Sequence, residues 1–428
     1  MPGSIPQATA IVLAAGPAPG MRSATPAVLH RIAGRSLVEH AVRAAAGVRP
    51  EQVVVVVGDA GDQVAEHVTE IAKALDCQVT TAPGLPTGLT GTVLVTRGDV
   101  PLLGTEALGS LLTEHTANGR GATALAGVAV AADAGTLADA GTADDPAALL
   151  DAVRVAGHPV ARLAFDDEWQ TAAIGDQVRL AEVRAELNRR IVREWMLAGV
   201  TVIDPATTWI DADVRLARDV VLEPNTQLRG GTEIGEGATV GPDATLTDVT
   251  VGPGASVVRT HGSGARIGDG ASVGPYAYLR PGATLGTKGK IGTFVEVKNS
   301  DIGAGSKVPH LSYVGDATIG EHSNIGAASV FVNYDGVNKH RSVVGSHAKM
   351  GSDNMYVAPV TIGDGAYSGA GTVLRRDVPP GALAVSGGPQ RNLDDWVLRN
   401  RPGTAAAEAA QRALDAVTET GDTEEAGR

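Results

Sequence analysis

Between about Leu216 and Leu374 the chain repeats itself every six residues, in several runs of mostly aliphatic anchors. Leu216, Leu222, Leu228, Ile234, Val240 and Leu246 keep this interval without a slip, and Ile267, Val273, Leu279, Leu285, Ile291 and Val297 repeat it. Further runs fall at Ile319, Ile325 and Phe331, and at Val344, Met350, Tyr356, Ile362, Ser368 and Leu374. Alanine stands four places after many anchors, as at Ala238, Ala244, Ala255, Ala271, Ala277 and Ala283. A helix repeats its buried face about every 3.6 residues and a strand about every two, so neither accounts for the pattern. A solenoid with three flat walls per coil does, with one hexapeptide per wall. Its anchors and alanines point inward, and Gly, Asn or Asp turn the corners. Such a prism is rigid and repetitive, so chemistry is expected where the repeat is interrupted.

The first ~195 residues follow ordinary helix and strand periods. An apolar run at 8–15 ends in a Gly/Pro loop, and 37–46 reads as a helix. Strand 52–57, helix 62–75 and strand 92–96 follow, the last leading into Gly98-Asp99-Val100-Pro101. This alternation predicts an α/β, mostly parallel sheet. The stretch 119–150 is rich in Ala, Gly and Asp and carries too little aliphatic patterning to assign. The expected division is an α/β domain at 1–177, a linker helix at 178–199, the prism at 200–386 and a tail at 387–428. Within the tail a short helix at 405–417 and a disordered end are expected.

Composition narrows the function classes. A net charge of −13 argues against nucleic acid or an anionic membrane as partner. No apolar run approaches the roughly 20 residues of a membrane helix. The start, MPGSIPQATAIVLAAG, lacks the basic region of a secretory signal. The single cysteine, Cys77, excludes an internal disulfide framework and suits a cytoplasmic protein. The 55 glycines and 3% aromatics are what a narrow solenoid core favours.

Three segments break the repeat: Arg280-Pro281-Gly282, the pair Glu296-Val297-Lys298 and Pro309-His310-Leu311-Ser312-Tyr313, and the insertion 332–340. His310 is the natural general base, because imidazole exchanges protons near neutral pH. Glu296 is placed to fix its tautomer. Arg280, Lys298 and Lys339 suit an anion such as phosphate, and Tyr313 adds a hydroxyl donor. The bland alternative is a solvated histidine among solubilising cations. A metal shared between subunits through His261, His310, His322, His340 or His347 is a further alternative, although these residues lack compact ligand spacing.

The strings YLRPGA, FVEVKNS, KVPHLSYVGDA, SNIGAAS, VNYDGVNK, GSDNMYVAPVTIGDGA and GAGTVL occur in this order. In them the chain closely resembles the acetyltransferase half of the bacterial GlmU family over about residues 195–400. The resemblance implies a left-handed parallel β-helix of hexapeptide repeats, a homotrimer with sites where subunits meet, and acetyl-CoA as co-substrate. It implies that His310 deprotonates the sugar amine and Glu296 orients it. Arg280 and Lys298 would hold the phosphate with Tyr313 and Lys339, and Asn324 and Asn333 would bind the sugar. Asn333 and Tyr334 would lie close to the acetyl group, and Ala327, Ser352 and Ala370 would contact acetyl-CoA. A late cofactor-binding arginine of the family falls at Gly387, with Arg391 as a substitute.

The N-terminal half resembles the family's nucleotidyltransferase (Rossmann-like) domain less well. The run Leu13-Ala14-Ala15-Gly16-Pro17-Ala18-Pro19-Gly20-Met21 places Gly20 where the catalytic arginine belongs. Pro26-Ala27-Val28-Leu29-His30 places Ala27 at the lysine. Prolines in the loop have no N–H to offer a phosphate. Asp99 keeps one vestigial Mg²⁺ ligand position, while the second, an asparagine, becomes Gly175. The uracil-binding stretch is not visible between Cys77 and Gly98, and the domain is short. The expectation is an N-acetyltransferase acting on glucosamine 1-phosphate whose uridyltransferase activity is lost, with Mg²⁺ needed only if that activity remains. The alternatives are a paralogue acylating another amine, an enzyme still bifunctional for UDP-N-acetylglucosamine, and a non-catalytic assembly partner.

Overall fold

A computed structural model describes residues 8–16, 18–58, 61–119, 121–141, 143–388 and 392–425. The six-residue anchors all face inward. Leu222, Leu228, Val240, Val297, Phe331 and Ile362 are fully buried, and even the most open of the series, Leu216 and Ser368, are only 8% exposed. The coils form a left-handed parallel β-helix walled by three parallel sheets of seven, ten and nine short strands. Pairing advances by one coil, so that Leu228 meets Leu246 and Leu279 meets Val297. The rings of Phe331 and Tyr356 stack at 4.2 Å inside the prism.

Asn225, Asp243, Asn299 and Asp316 turn corners at φ between 44° and 59°. Short polar side chains tolerate this left-handed region better than others. His322 and His347 occupy corners of the same kind, and their rings stack at 5.2 Å. Two of the five histidines weighed as metal ligands therefore serve the corner ladder.

The N-terminal sheet has seven strands, ordered Val79–Ala82, Gln52–Val56, Ala8–Leu13, Thr92–Arg97, Ala129–Asp133, Ala122–Leu125 and Val160–Leu163. The first four are parallel, and Ala129–Asp133 runs antiparallel to both of its neighbours. Residues 119–150, unassigned from pattern, supply this reversed hairpin and the helix Ala134–Ala140. The strand Ala129–Asp133 buries alanines on both faces, which erases the alternation that would reveal a strand.

The helix Gln177–Leu197 starts on Asp176, whose carboxylate accepts from the Arg179 N–H at 2.8 Å. Its Asn188 amide donates to the Thr208 carbonyl at 2.8 Å and accepts from the Ile210 N–H at 3.1 Å, tying the helix to the first coil. The α/β domain also touches that coil, through Ala212 N–H to the Ala33 carbonyl (2.9 Å) and the Arg35–Asp213 ion pair (2.5 Å). This compact unit ends at Ala384. A second begins at Val385 and holds helices Trp396–Asn400 and Ala405–Glu425, the latter extending past Val417. Among the described residues no helix is long and apolar enough to cross a membrane.

Candidate active site

In the strand Glu296–Lys298 the central Val297 is buried, so two-residue alternation leaves Glu296 and Lys298 on the outer wall. Tyr278 is level with Glu296 one coil earlier, which brings Arg280 alongside Lys298; one coil later Tyr313 is level with Glu296. Arg280 Nη1 donates to Glu296 Oε1 at 2.9 Å. Lys298 Nζ lies 3.5 Å from Asp316 Oδ2. Asp316 is buried, and its two oxygens accept from the Asn299 and Asn333 amides at 2.7 and 2.5 Å. Burial pushes the Asp316 carboxyl up, but those amide donors and the Lys298 ammonium outweigh it and hold the group below its ordinary value. The Tyr313 phenol lies across Gly315, where a Cβ would collide with the ring.

Lys339 joins this cluster from the 332–340 insertion. Asp335 organises that loop by accepting from the Asn338 and Val337 N–H groups at 2.7 and 2.8 Å and pairing with His340 Nε2 at 2.7 Å. These contacts pull the Asp335 carboxyl down to about 2. The Lys339 ammonium is depressed by the like charge of its neighbour Lys298. Three cations, Arg280, Lys298 and Lys339, thus share two carboxylates, Glu296 and Asp316. An excess of positive charge that strains one of its own lysines is the electrostatic profile of an anion site.

His310 ends the strand Lys307–His310 and is exposed; Leu311 follows at φ 49°. Its carbonyl accepts from the Ala328 N–H, the Ala327 carbonyl from Asp353, and the Ser352 carbonyl from Gly371. His310, Ala327, Ser352 and Ala370 therefore stack along one corner of the prism. This corner joins the sheet of Lys307–His310 to the wall of Glu296–Lys298 and Tyr313–Gly315, and the cation cluster lies at the far edge of that wall, one strand of about three residues or roughly 10 Å away.

Several residues stand elsewhere than expected. Glu296 spends its carboxylate on Arg280 instead of orienting His310, whose ring has no hydrogen-bond partner among the described residues. The reason is register: Glu296 is level with Tyr278 and Tyr313, whereas His310 is level with Thr293 on another wall. Asn333 is engaged by Asp316 and lies 3.4 Å from the Tyr313 hydroxyl. Tyr334 is exposed and donates its hydroxyl to the Gly336 carbonyl at 2.6 Å. Asn324 bridges Lys307 and Lys349 on the wall that carries His310, beside a 300 Å³ cavity. Gly387 belongs to the second unit, and Arg391 lies outside the described residues. Asp316, the hub of the cluster, was missed because an Asp at a coil corner looks like any other; its only signal was its place eighteen residues after Lys298.

In the α/β domain Asp99 follows the central strand Thr92–Arg97. Both of its oxygens accept from Arg97, from Nε at 2.8 Å and from Nη2 at 2.7 Å. Arg97 Nη1 donates to Asp145 Oδ2 at 2.6 Å, while Asp145 Oδ1 caps the helix Pro146–Val155. Gly20 packs on the Gly175 carbonyl so closely that a Cβ would collide with it. Gly20 is thus packed against the backbone of Gly175, while a side chain at Gly175 would meet open space. An apolar cavity of 360 Å³ opens on this sheet, lined by Ile11, Leu85, Leu89, Val95, Leu137 and Leu149.

A family profile described as a MobA-like NTP transferase domain matches residues 10–198. The protein from Kineococcus radiotolerans named "Bifunctional protein GlmU" is 53% identical, covering 96% of each chain. Proteins of the same name from Nocardia farcinica and Mycobacterium bovis are each 49% identical, covering at least 95% of both chains. The alignment with the first spans 476 positions against 428 residues here, so that relative carries segments with no counterpart in this chain. The chain belongs to the family of bifunctional GlmU proteins.

Proposed function

We propose that the prism transfers the acetyl group of acetyl-CoA to the 2-amine of glucosamine 1-phosphate. The supporting observation is the cation excess of Arg280, Lys298 and Lys339 on a wall whose other edge meets the corner that carries an exposed, unpartnered His310. The phosphate docks against the three cations, and Tyr313 donates its hydroxyl to it. The sugar then extends along the wall toward His310. His310 takes a proton from the amine, the amine nitrogen bonds to the thioester carbonyl, and the carbon–sulfur bond breaks to release coenzyme A. The cofactor lies along Ala327, Ser352 and Ala370, the corner column that continues from His310. A homotrimer brings Asn324 of a neighbouring wall to the sugar. The reaction takes place in the cytoplasm, which a single free thiol suits.

The comparisons favour a second activity. The relatives are named bifunctional, and the α/β domain matches an NTP transferase profile. Both findings support the alternative in which the chain also makes UDP-N-acetylglucosamine, over the expectation that uridylyl transfer is lost. The deciding experiment measures coenzyme A release with glucosamine 1-phosphate and with a panel of other amines, and pyrophosphate release from UTP with N-acetylglucosamine 1-phosphate. Release of coenzyme A only with other amines would overturn the acceptor. Absence of pyrophosphate release would return the chain to a single activity.

A further inference from the structure

The family's nucleotidyl chemistry implies a divalent cation at Asp99, and the groups present do not fit one. Metal ions of this class need several free oxygen ligands. Both Asp99 oxygens are occupied by the Arg97 guanidinium, and Gly175 has no side chain to offer. Among the described residues no group of three or more His, Cys, Asp or Glu side chains is assembled for a metal.

We propose that Arg97 is a built-in replacement for the divalent cation: its guanidinium, fastened to Asp99 and Asp145, is the resident cation of the α/β domain, and Asp99 is not a metal ligand in this chain. Geometry supports the assignment. A planar fork bonded to two oxygens of one carboxylate is the strongest pairing a guanidinium makes. The third contact, to Asp145, anchors the fork to the N-terminus of the helix Pro146–Val155, so the arginine is held from two sides. Arg97 and Asp99 are two residues apart, but Asp145 comes from 48 residues along the chain, which makes the arrangement a product of the fold. The side chains of Arg97 and Asp99 are 32% and 20% exposed, so water competes only partly with the pairing. A cation entering from solvent would have to displace a bound guanidinium and its three hydrogen bonds.

The same geometry predicts what removal of the arginine does. It leaves Asp99 and Asp145 as two facing carboxylates with no counter-ion, a pair that attracts a divalent ion. The test uses the full chain and Mn²⁺ as probe, followed by the electron paramagnetic resonance signal of free Mn²⁺ and by titration calorimetry. The native chain is expected to bind no Mn²⁺ at millimolar concentration that Asp99→Asn removes. Arg97→Ala is expected to gain one site at least tenfold tighter than any in the native chain, and Arg97→Ala with Asp99→Asn to lose it. If Arg97→Ala does not fold, judged by circular dichroism, Arg97→Gln carries this arm, because it keeps most of the side chain and removes the charge. Stoichiometric Mn²⁺ binding by the native chain that Asp99→Asn abolishes would overturn the proposal. So would a folded arginine variant that gains no site. Neither readout involves acetyl transfer, so failure here leaves the prism's proposed reaction untouched, and the reverse also holds.

Discussion

The two charged clusters of this protein are built from the same side chains and balanced in opposite ways. In the α/β domain one guanidinium serves two carboxylates, Asp99 and Asp145. On the prism three cations, Arg280, Lys298 and Lys339, serve two carboxylates, Glu296 and Asp316. The first cluster has no cation left over. The second holds two ammonium groups near enough that one is depressed by the other, a repulsion that an arriving phosphate would relieve. Internal charge balance therefore separates a cluster whose cation is fully engaged by its own carboxylates from one that holds a cation in excess.

Four experiments press on this contrast. The largest effect is expected from His310→Ala, which removes the base without touching the core. Acetyl transfer should fall by about 10²–10⁴-fold in kcat, measured by coenzyme A release, with circular dichroism and oligomeric mass unchanged. Retained turnover would place the base elsewhere. Next, Lys298→Ala should raise the KM for the sugar phosphate by about 10–100-fold while kcat changes less, because a charge-assisted hydrogen bond contributes about 1.5–3 kcal/mol. An unchanged KM would mean that the cation excess does not hold the phosphate. In the other cluster, Asp145→Ala should lower unfolding free energy by about 0.5–2 kcal/mol through loss of the helix cap, with no change in acetyl transfer. Denaturant titration measures it, and a change in kcat would couple the two clusters.

The smallest effect concerns pH. The Asp335 carboxyl falls from its ordinary 3.8 to about 2 in the folded loop, so the folded state favours its ionised form. The resulting order of the 332–340 loop is fully present above the unfolded-state value and fades as pH falls through the folded one, a window from about 4 to 2. Protection of the Val337 and Asn338 amides against hydrogen exchange, relative to their intrinsic rates at each pH, should fall across that window, and Asp335→Asn should show low protection already at neutral pH. Protection that persists down to pH 2 would free Lys339 from dependence on this loop.

Much of the fold was legible in residue order. The six-residue period reports a coil that repeats its own environment, so each anchor faces the same interior regardless of distant partners. The interruptions at 280, 296–298, 310 and 332–340 were legible for the same reason, as departures from a known rhythm. The hairpin of residues 119–150 was not, since alanines buried on both faces give no alternation. Nor was Asp316, because corner aspartates are common for reasons of backbone conformation alone.

Residue order thus carried the prism, its inward face and the residue types available for chemistry, because these depend on local spacing. Which charges meet was decided only by the stacking of coils and the crossing of strands. Register set Glu296 beside Arg280 and away from His310, and it placed Asp316 under Lys298. The return of the chain to Asp145 enclosed Arg97 from its second side. Ion pairing acts over a few ångströms between residues far apart in sequence, and no period along the chain encodes it.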